Sequence, residues 1–312
     1  MKKIIITLAA ALIIIASAVA FKNVYSCEMP IKNRGIRDAI NTGSLDVLFI
    51  GSSTFRANVD MPMMDEACGG RVYDISYGGN QLVATAIQYD EIKRRSDKDY
   101  GLMVFELGPM MLTQEVALSD SRVIWDLSWE GKKALWESMY SAGNTDFPMM
   151  YEYFVTSGMD DLITFPVTEP FYSTRYYKGA KTDESVSPGK DRLDSEEFDI
   201  SDKVPVQAQA DAVVDIIQKC KADGQECIFL ESPCYYRLQE DPVFQRYHEE
   251  FVKILDENGA DYILASDVSF DTHNAAYFED MNHMSAEGRR AYTAELIDLL
   301  KNKRTYESIR ER

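Results

Sequence analysis

The chain has 312 residues, of which 46% are hydrophobic and 11% aromatic, and its formal net charge is −18 at pH 7. This apolar fraction is sufficient for a packed core and excludes a globally disordered chain. The acidic balance argues against nucleic acid or an anionic membrane surface as a partner, because binding to phosphate groups needs clustered Lys and Arg.

The N-terminus has the pattern of a secretory leader. Lys2 and Lys3 precede the uncharged segment 4–20, and small residues near its end offer cleavage sites. At about 1.5 Å per residue the segment is also just long enough to span a bilayer. Residues 1–20 are therefore predicted to be either a signal peptide or an N-terminal membrane anchor, and both interpretations place the rest of the chain outside the cytoplasm.

Short apolar runs separated by helix-like segments predict an α/β fold over residues 45–302, after a linker at 21–44. The runs fit buried strands of a three-layer, flavodoxin-like sandwich, with a mostly parallel sheet of about five strands. The predicted strands are Leu45–Ile50, Val72–Ile75, Leu102–Leu107, Cys227–Leu230 and Tyr262–Leu264. The predicted helices are Gln81–Arg95, Val206–Ala222, Pro242–Asn258 and Ser285–Lys301.

The alternation of strands and helices breaks between about residues 109 and 203, which predicts a helical, aromatic-rich insertion. Residues 121–180 hold 13 of the 35 aromatic residues of the chain. These aromatics form either a small core of the insertion itself or a cap that lines a substrate groove. Residues 180–203 are polar and predict a long exposed loop, and residues 303–312 predict a charged tail.

Ligands of parallel α/β sheets bind beyond the carboxyl ends of the strands, so the residues that follow each strand are candidates for a site. The first strand runs into GSST at 51–54, where a tight turn could present a hydroxyl or a serine could cap the next helix. The second leads into YGGN at 77–80, either a ligand-binding turn or a plain one. The third ends in ELG at 106–108, and the following turn, Pro109-Met110-Met111, supplies no obvious polar group.

A histidine base must come from His248, His273 or His283, because the chain has three histidines. His283 is the strongest candidate, since Asp280 three residues upstream can accept a hydrogen bond from one imidazole nitrogen and leave the other free to take a proton. The alternative is a surface histidine in a helix-capping turn. The surrounding pattern predicts that His248 is a solvated helix residue and that His273 lies in a loop.

Taken in order, GSST at 51–54, YGGN at 77–80, ELG at 106–108 and DMNH at 280–283 resemble the motif blocks of the SGNH (GDSL-like) hydrolase superfamily. The resemblance covers about residues 45–300, apart from the insertion. It implies a catalytic triad of Ser53, His283 and Asp280. It also implies an oxyanion hole formed by the backbone N–H groups of Ser53 and Gly79, with Asn80 as a further candidate donor.

Two positions depart from the pattern of that superfamily. Ser52 replaces the usual Asp, and Met110 falls where the superfamily has an Asn that donates a hydrogen bond. A thioether cannot donate. These departures and the leader look more like the branch of exported, membrane-anchored proteins that modify cell-surface polymers, the DltD-like D-alanyl transfer proteins and the alginate-acetylation proteins.

The resemblance implies an exported serine esterase or O-acyltransferase that acts on acyl esters of cell-surface or extracellular polysaccharide. It implies no metal and no cofactor, and a membrane acyltransferase as a partner; Arg56, Tyr176 and Tyr177 are candidate substrate contacts. The alternative is a non-catalytic SGNH-like domain that binds within a surface-polymer modification complex. A nucleotide binder is disfavoured, because no G-x-G-x-x-G or P-loop sequence follows any predicted strand.

Overall fold

The structure is a computed structural model, and it describes residues 2–28, 34–98, 100–117, 123–144 and 175–302. Its strands in chain order are β1 (Leu45–Ile50), β2 (Val72–Asp74), β3 (Tyr100–Glu106), β4 (Tyr176–Tyr177), β5 (Ala180–Lys181), β6 (Glu226–Leu230) and β7 (Asp261–Ile263). Its α-helices are α1 (Lys2–Glu28), α2 (Ile36–Thr42), α3 (Ser53–Asn58), α4 (Met61–Ala67), α5 (Leu82–Arg95), α6 (Val123–Asp126), α7 (Trp129–Ser141), α8 (Lys190–Ser195), α9 (Gln207–Asp223), α10 (Tyr236–Gln239), α11 (Pro242–Glu257) and α12 (Ala286–Asn302).

Five parallel strands form the central sheet in the order β2-β1-β3-β6-β7, and β4 and β5 form a separate antiparallel hairpin. Alternate residues of each strand enter different hydrophobic clusters: Leu48 and Ile50 lie in one, and Val47 and Phe49 in the other. Because both faces of the sheet are covered, the strands are mostly apolar, with charged residues at or near their ends. The predicted α/β fold with a parallel sheet of about five strands is confirmed.

Capping residues explain where the long helices begin and end. Asp241 accepts hydrogen bonds from the first backbone N–H groups of α11, and Pro242 occupies a first-turn position where it loses no bond. Helix α9 ends at Gly224, whose φ of 64° is the left-handed conformation that glycine adopts without a steric penalty. All four predicted helices are present, within one or two residues of their predicted bounds.

The described part of the insertion packs on the main domain. Leu135 and Met139 of α7 belong to the same hydrophobic cluster as residues of the sheet, and the Asp126 carboxylate accepts a hydrogen bond from the backbone N–H of Ile36 at 2.9 Å. This part therefore has no core of its own. Residues 145–174, which hold many of the aromatics, lie outside the described residues.

The predicted exposed loop at 180–203 is partly wrong, because it contains β5 and the short helix α8. Leu193 of α8 is fully buried, and the Tyr235 hydroxyl donates to Asp194 at 2.8 Å. Ala180 and Leu193 are buried, and hydrogen bonds such as that from the Arg237 guanidinium to the Leu193 carbonyl at 2.9 Å hold this otherwise polar segment against the domain. Such a small apolar signal is hard to detect within a charged sequence.

The N-terminal segment Lys2–Ala20 lies within α1 and is long and apolar enough to cross a membrane, with a mean hydropathy of 2.5 and none of it buried in the protein. Signal sequences meet the same criteria. The helix is thus compatible with either of the two predicted roles of residues 1–20.

Candidate active site

The turn after β1 presents Ser53 at the carboxyl edge of the sheet. Gly51 follows the strand, Ser52 has an extended backbone and caps helix α3, and Ser53 is the first residue of that helix. A Cβ atom on Gly51 would lie 2.6 Å from Oε2 of Glu106, so the turn has room only for glycine at this position. The close approach of β1 and β3 thereby fixes where the Ser53 hydroxyl emerges.

Ser53, His283 and Asp280 form one hydrogen-bonded chain. The Ser53 Oγ lies 2.9 Å from Nε2 of His283, and Nδ1 of His283 lies 2.8 Å from Oδ2 of Asp280. With the Nδ1 proton donated to the carboxylate, Nε2 holds the lone pair that accepts the serine proton. The structure therefore brings together the three residues that the sequence suggested for the triad.

The Asp280 carboxylate is fixed by its own turn. Its Oδ1 accepts the backbone N–H groups of Asn282 at 2.9 Å and His283 at 2.8 Å. Burial acts to raise the pKa of Asp280, but these bonds and the His283 imidazole outweigh burial and hold the pKa below its ordinary value. Asp280 is thus ionised at neutral pH and suited to stabilise a protonated imidazole.

A buried asparagine links the turn that contains His283 to helix α3, which begins at Ser53. Asn58, the last residue of α3, donates from Nδ2 to the carbonyl of Asn282 at 3.0 Å and accepts at Oδ1 from the N–H of Met284 at 2.8 Å. These two backbone groups flank His283. Because Asn58 and Ser53 belong to the same helix, this clamp sets the Ser53–His283 distance. Nothing in the sequence near Asn58 indicates this role.

Two backbone N–H groups are available at the nucleophile. Within the described ranges, neither the Ser53 N–H nor the Gly79 N–H has a hydrogen-bond acceptor, and both residues line one cavity. Ser53 begins α3, so its N–H cannot bond within the helix, and Gly79 adopts a φ of 61°. This arrangement matches the two backbone donors that the resemblance implies.

Asn80 does not supply the predicted third donor. Its Nδ2 group donates to the Gly51 carbonyl at 3.0 Å and to Oε1 of Gln88 at 2.8 Å, and its backbone N–H donates to the Tyr77 carbonyl at 3.2 Å. Asn80 is 2% exposed and braces the nucleophile turn from inside the fold. The prediction that it donates into the oxyanion hole is contradicted by these bonds.

The cavity beside Ser53 has a volume of about 260 Å³. One part of its wall is apolar and the other carries a few polar groups, as is usual for small-molecule sites. The apolar lining comprises Leu107, Pro109, Met110, Met111, Leu238 and Phe244. The polar lining includes Gln114, Ser232 and Asn282, and the buried Oε1 of Gln114 has no hydrogen-bond partner among the described residues.

Glu106 is a site residue that the sequence interpretation missed. It ends β3, is 5% exposed, lines the cavity, and accepts hydrogen bonds from the backbone N–H and from the Oγ of Ser52, the latter at 3.0 Å. Burial raises the pKa of Glu106, and the bonds from Ser52 partly oppose this shift. The available signal was a single charged residue at the end of an otherwise apolar strand.

The three predicted substrate contacts lie away from the cavity lining. Arg56 lies near Asp74; burial raises the pKa of this carboxyl to about 7, and the charge of Arg56 partly opposes the shift. The Tyr176 ring lies against the guanidinium of Arg34, 4.7 Å from its centroid, and the Tyr177 hydroxyl donates to Asp65 at 2.7 Å. Their role in substrate binding stays a prediction that would require a ligand larger than this cavity.

The other two histidines have different partners. His248 is not a solvated helix residue as predicted: its side chain is 19% exposed, and its Nδ1 lies 2.9 Å from the buried carboxylate of Glu231. His273 is exposed, pairs with Glu240 at 3.0 Å and stacks on a neighbouring tyrosine ring. Neither contacts a serine among the described residues, whereas His283 has the geometry of a base for a hydroxyl.

The sequence matches no family model and no curated protein. Among solved structures, an acetyl xylan esterase is similar at 10% identity and a TM-score of 0.39, covering 81% of this chain and 98% of its own. A GDSL-like lipase from Bacteroides thetaiotaomicron has 12% identity and a TM-score of 0.38, with 91% and 96% covered. An acetyl xylan esterase from Butyrivibrio proteoclasticus has 10% identity and a TM-score of 0.37, with 85% and 65% covered.

Proposed function

We propose that the chain is a serine esterase or O-acyltransferase of the SGNH type. The observation that carries this proposal is the hydrogen-bonded chain Ser53–His283–Asp280 beside a cavity that Ser53 and Gly79 line. A nucleophile, a base, a residue that orients the base and donors for an oxyanion are the groups that acyl transfer requires.

In the first half of the reaction, Ser53 Oγ attacks the ester carbonyl carbon while its proton passes to Nε2 of His283. Asp280 stabilises the resulting imidazolium through Nδ1–H. The carbonyl oxygen becomes an oxyanion that accepts hydrogen bonds from the N–H groups of Ser53 and Gly79. His283 then returns the proton to the leaving alcohol oxygen as the C–O bond breaks, and an acyl-Ser53 ester remains.

In the second half, water or an acceptor hydroxyl attacks the acyl-Ser53 carbonyl. His283 takes the proton of the attacking oxygen and gives it to Ser53 Oγ when the acyl–enzyme bond breaks. Water yields a free acid and defines an esterase, whereas a sugar hydroxyl yields a new ester and defines an O-acyltransferase.

The proposed setting is extracytoplasmic, with residues 1–20 as a signal peptide or membrane anchor, and the proposed substrate is an acylated cell-surface or extracellular polysaccharide. The apolar segment Lys2–Ala20 supports export. The net charge of −18 disfavours steering toward polyanions and so favours a neutral or acylated glycan. A membrane acyltransferase is the proposed partner if the reaction is transfer, in keeping with the DltD-like and alginate-acetylation-like resemblance.

The alternative function is a non-catalytic binding domain in a surface-polymer modification complex. Met110 favours it, because this residue lines the cavity with a thioether where the resembling superfamily has a hydrogen-bond donor. Loss of one oxyanion donor costs about 10²–10³-fold in rate, which would slow an enzyme without abolishing it. The 2.9 Å Ser53–His283 contact supports the catalytic proposal over this alternative.

Release of acid from acetylated xylan and from p-nitrophenyl esters tests the proposal. Ser53→Ala should lower kcat by about four to six orders of magnitude, as loss of a triad serine does. Ser201→Ala is the matched control, because Ser201 is an exposed turn residue whose hydroxyl donates to Asp199 at 2.6 Å. Equal turnover by the parent and Ser53→Ala proteins, or no turnover by the parent of any ester, would refute the assignment.

A further inference from the structure

The Glu106 carboxylate holds the nucleophile turn at two points on the same residue. Oε2 accepts the backbone N–H of Ser52, and Oε1 accepts the Ser52 hydroxyl at 3.0 Å. Strand pairing sets up this contact: Ile50 lies opposite Phe105 in the β1–β3 ladder, and Gly51 and Glu106 are the next residues of the two segments. The missing Cβ of Gly51 leaves room for the carboxylate.

The Ser52 hydroxyl passes this restraint on to α3. Its Oγ donates to Glu106 and accepts the backbone N–H of Thr54 at 3.3 Å. Of the backbone N–H groups of residues 52, 53 and 54, the first therefore donates to Glu106 and the third to the Ser52 hydroxyl. The N–H of Ser53 lies between them, beside the cavity, and has no acceptor among the described residues.

We propose that Glu106 is a positioning residue that acts through Ser52 to hold the Ser53 backbone N–H in the oxyanion hole. The inference rests on the proposed acyl-transfer function. It assigns Glu106 no contact with the reacting atoms. Its effect is to fix one of the two backbone donors, which is most important here because Met110 supplies no third one.

The serine at position 52 is chemically complementary to the Glu106 carboxylate. An Asp side chain at position 52 would place a second carboxylate against Glu106. Two facing carboxylates repel each other, whereas a serine hydroxyl donates to one. The chain thus carries the carboxylate on β3 and the neutral donor on the turn.

A double-mutant cycle tests the inference on the full chain. Glu106→Gln keeps one acceptor and replaces the other by an amide donor, and Ser52→Asp keeps the Thr54 cap but introduces a second carboxylate. In the double variant the introduced amide can donate to the introduced carboxylate, and the amide carbonyl can accept the backbone N–H at position 52. Each single variant should lower kcat about 10²-fold with little change in KM, the usual effect of a lost oxyanion donor.

The double variant should have a kcat at least about tenfold higher than that of either single variant. The two side chains are in direct contact, so the effects of their substitutions are not additive. Ser52→Ala, which leaves the Glu106 bond to the backbone intact, should cost about tenfold in kcat and keep the protein folded. Glu91→Gln is the matched control. Glu91 is also buried, but it pairs with Arg95 at 3.1 Å on α5. Loss of this carboxylate should therefore change the unfolding midpoint of the protein and leave kcat unchanged.

The inference would be overturned if folded Glu106→Gln and Ser52→Ala proteins had the kcat of the parent. It would also be overturned if the kcat losses of Glu106→Gln and Ser52→Asp multiplied in the double variant. Those results would leave the esterase proposal standing as long as Ser53→Ala is inactive. An inactive parent protein would instead refute the proposed function itself.

Discussion

Substitution of Asn58 by alanine is expected to weaken both the fold and the active site. The change leaves the Asn282 carbonyl and the Met284 N–H without their partners, at 3.0 Å and 2.8 Å in the parent, in a region where Asn58 is 0% exposed. Each unpaired buried group costs about 1–3 kcal/mol, so the free energy of unfolding should fall by about 2–6 kcal/mol. At about 2–4 °C per kcal/mol the thermal midpoint should fall by roughly 4–24 °C.

The same substitution frees the turn that holds His283 opposite Ser53. A displacement of about 1 Å at a reacting group can cost about 10²-fold, so kcat measured well below the midpoint should fall by that order. Urea unfolding and ester turnover at about 20 °C measure the two effects separately. Asn258→Ala is the control, because Asn258 lies at the end of α11, where its side chain donates to the Ile254 carbonyl at 2.8 Å. Unchanged stability and kcat in Asn58→Ala would refute the claim that Asn58 holds the His283 turn opposite Ser53.

Three other substitutions probe the site and its surroundings. Asp280→Asn should lower kcat about 10⁴-fold without unfolding the protein, because the amide no longer orients His283, and steady-state kinetics would detect it. The bond to Glu231 raises the pKa of His248, so this pair stabilises the fold fully below about pH 6.5 and loses its contribution as pH rises through the raised pKa. His248→Gln should therefore flatten the curve of unfolding free energy against pH in this range. An unchanged slope would exclude the His248–Glu231 pair as the source of the pH dependence. Met110→Asn should raise kcat about tenfold by adding a donor to the oxyanion hole, and a fall in kcat would show that the apolar wall is needed instead.

The strands and the triad could be predicted because each has a local pattern. The bounds of Leu45–Ile50 are predicted to the residue, since a strand buried on both faces is a mostly apolar run, which here contains one charged residue, Asp46. Asp280 and His283 lie in a single turn, so their spacing alone indicates the contact. The pairing of His283 with Ser53 spans the chain and came from the order of motifs that the resemblance implies.

The residues that support the triad have no such pattern. Asn58 contacts positions more than 220 residues away in the sequence, and Glu106 contacts Ser52 across a strand pair. Contacts of this kind depend on strand order and side-chain direction, which residue types and spacing do not reveal. Asn80 illustrates the converse error: its place in the YGGN motif is visible, but its amide points into the fold.

The most direct test of the proposed function is to identify the residue that a fluorophosphonate probe modifies in the native protein. Mass spectrometry of the labelled protein should locate one adduct on Ser53, and the label should be lost in Ser53→Ala and strongly reduced in His283→Ala. His273→Ala, which alters an exposed histidine paired with Glu240, should label like the parent. Absence of labelling in the parent, or an adduct on another residue that persists in Ser53→Ala, would contradict a nucleophilic role for Ser53.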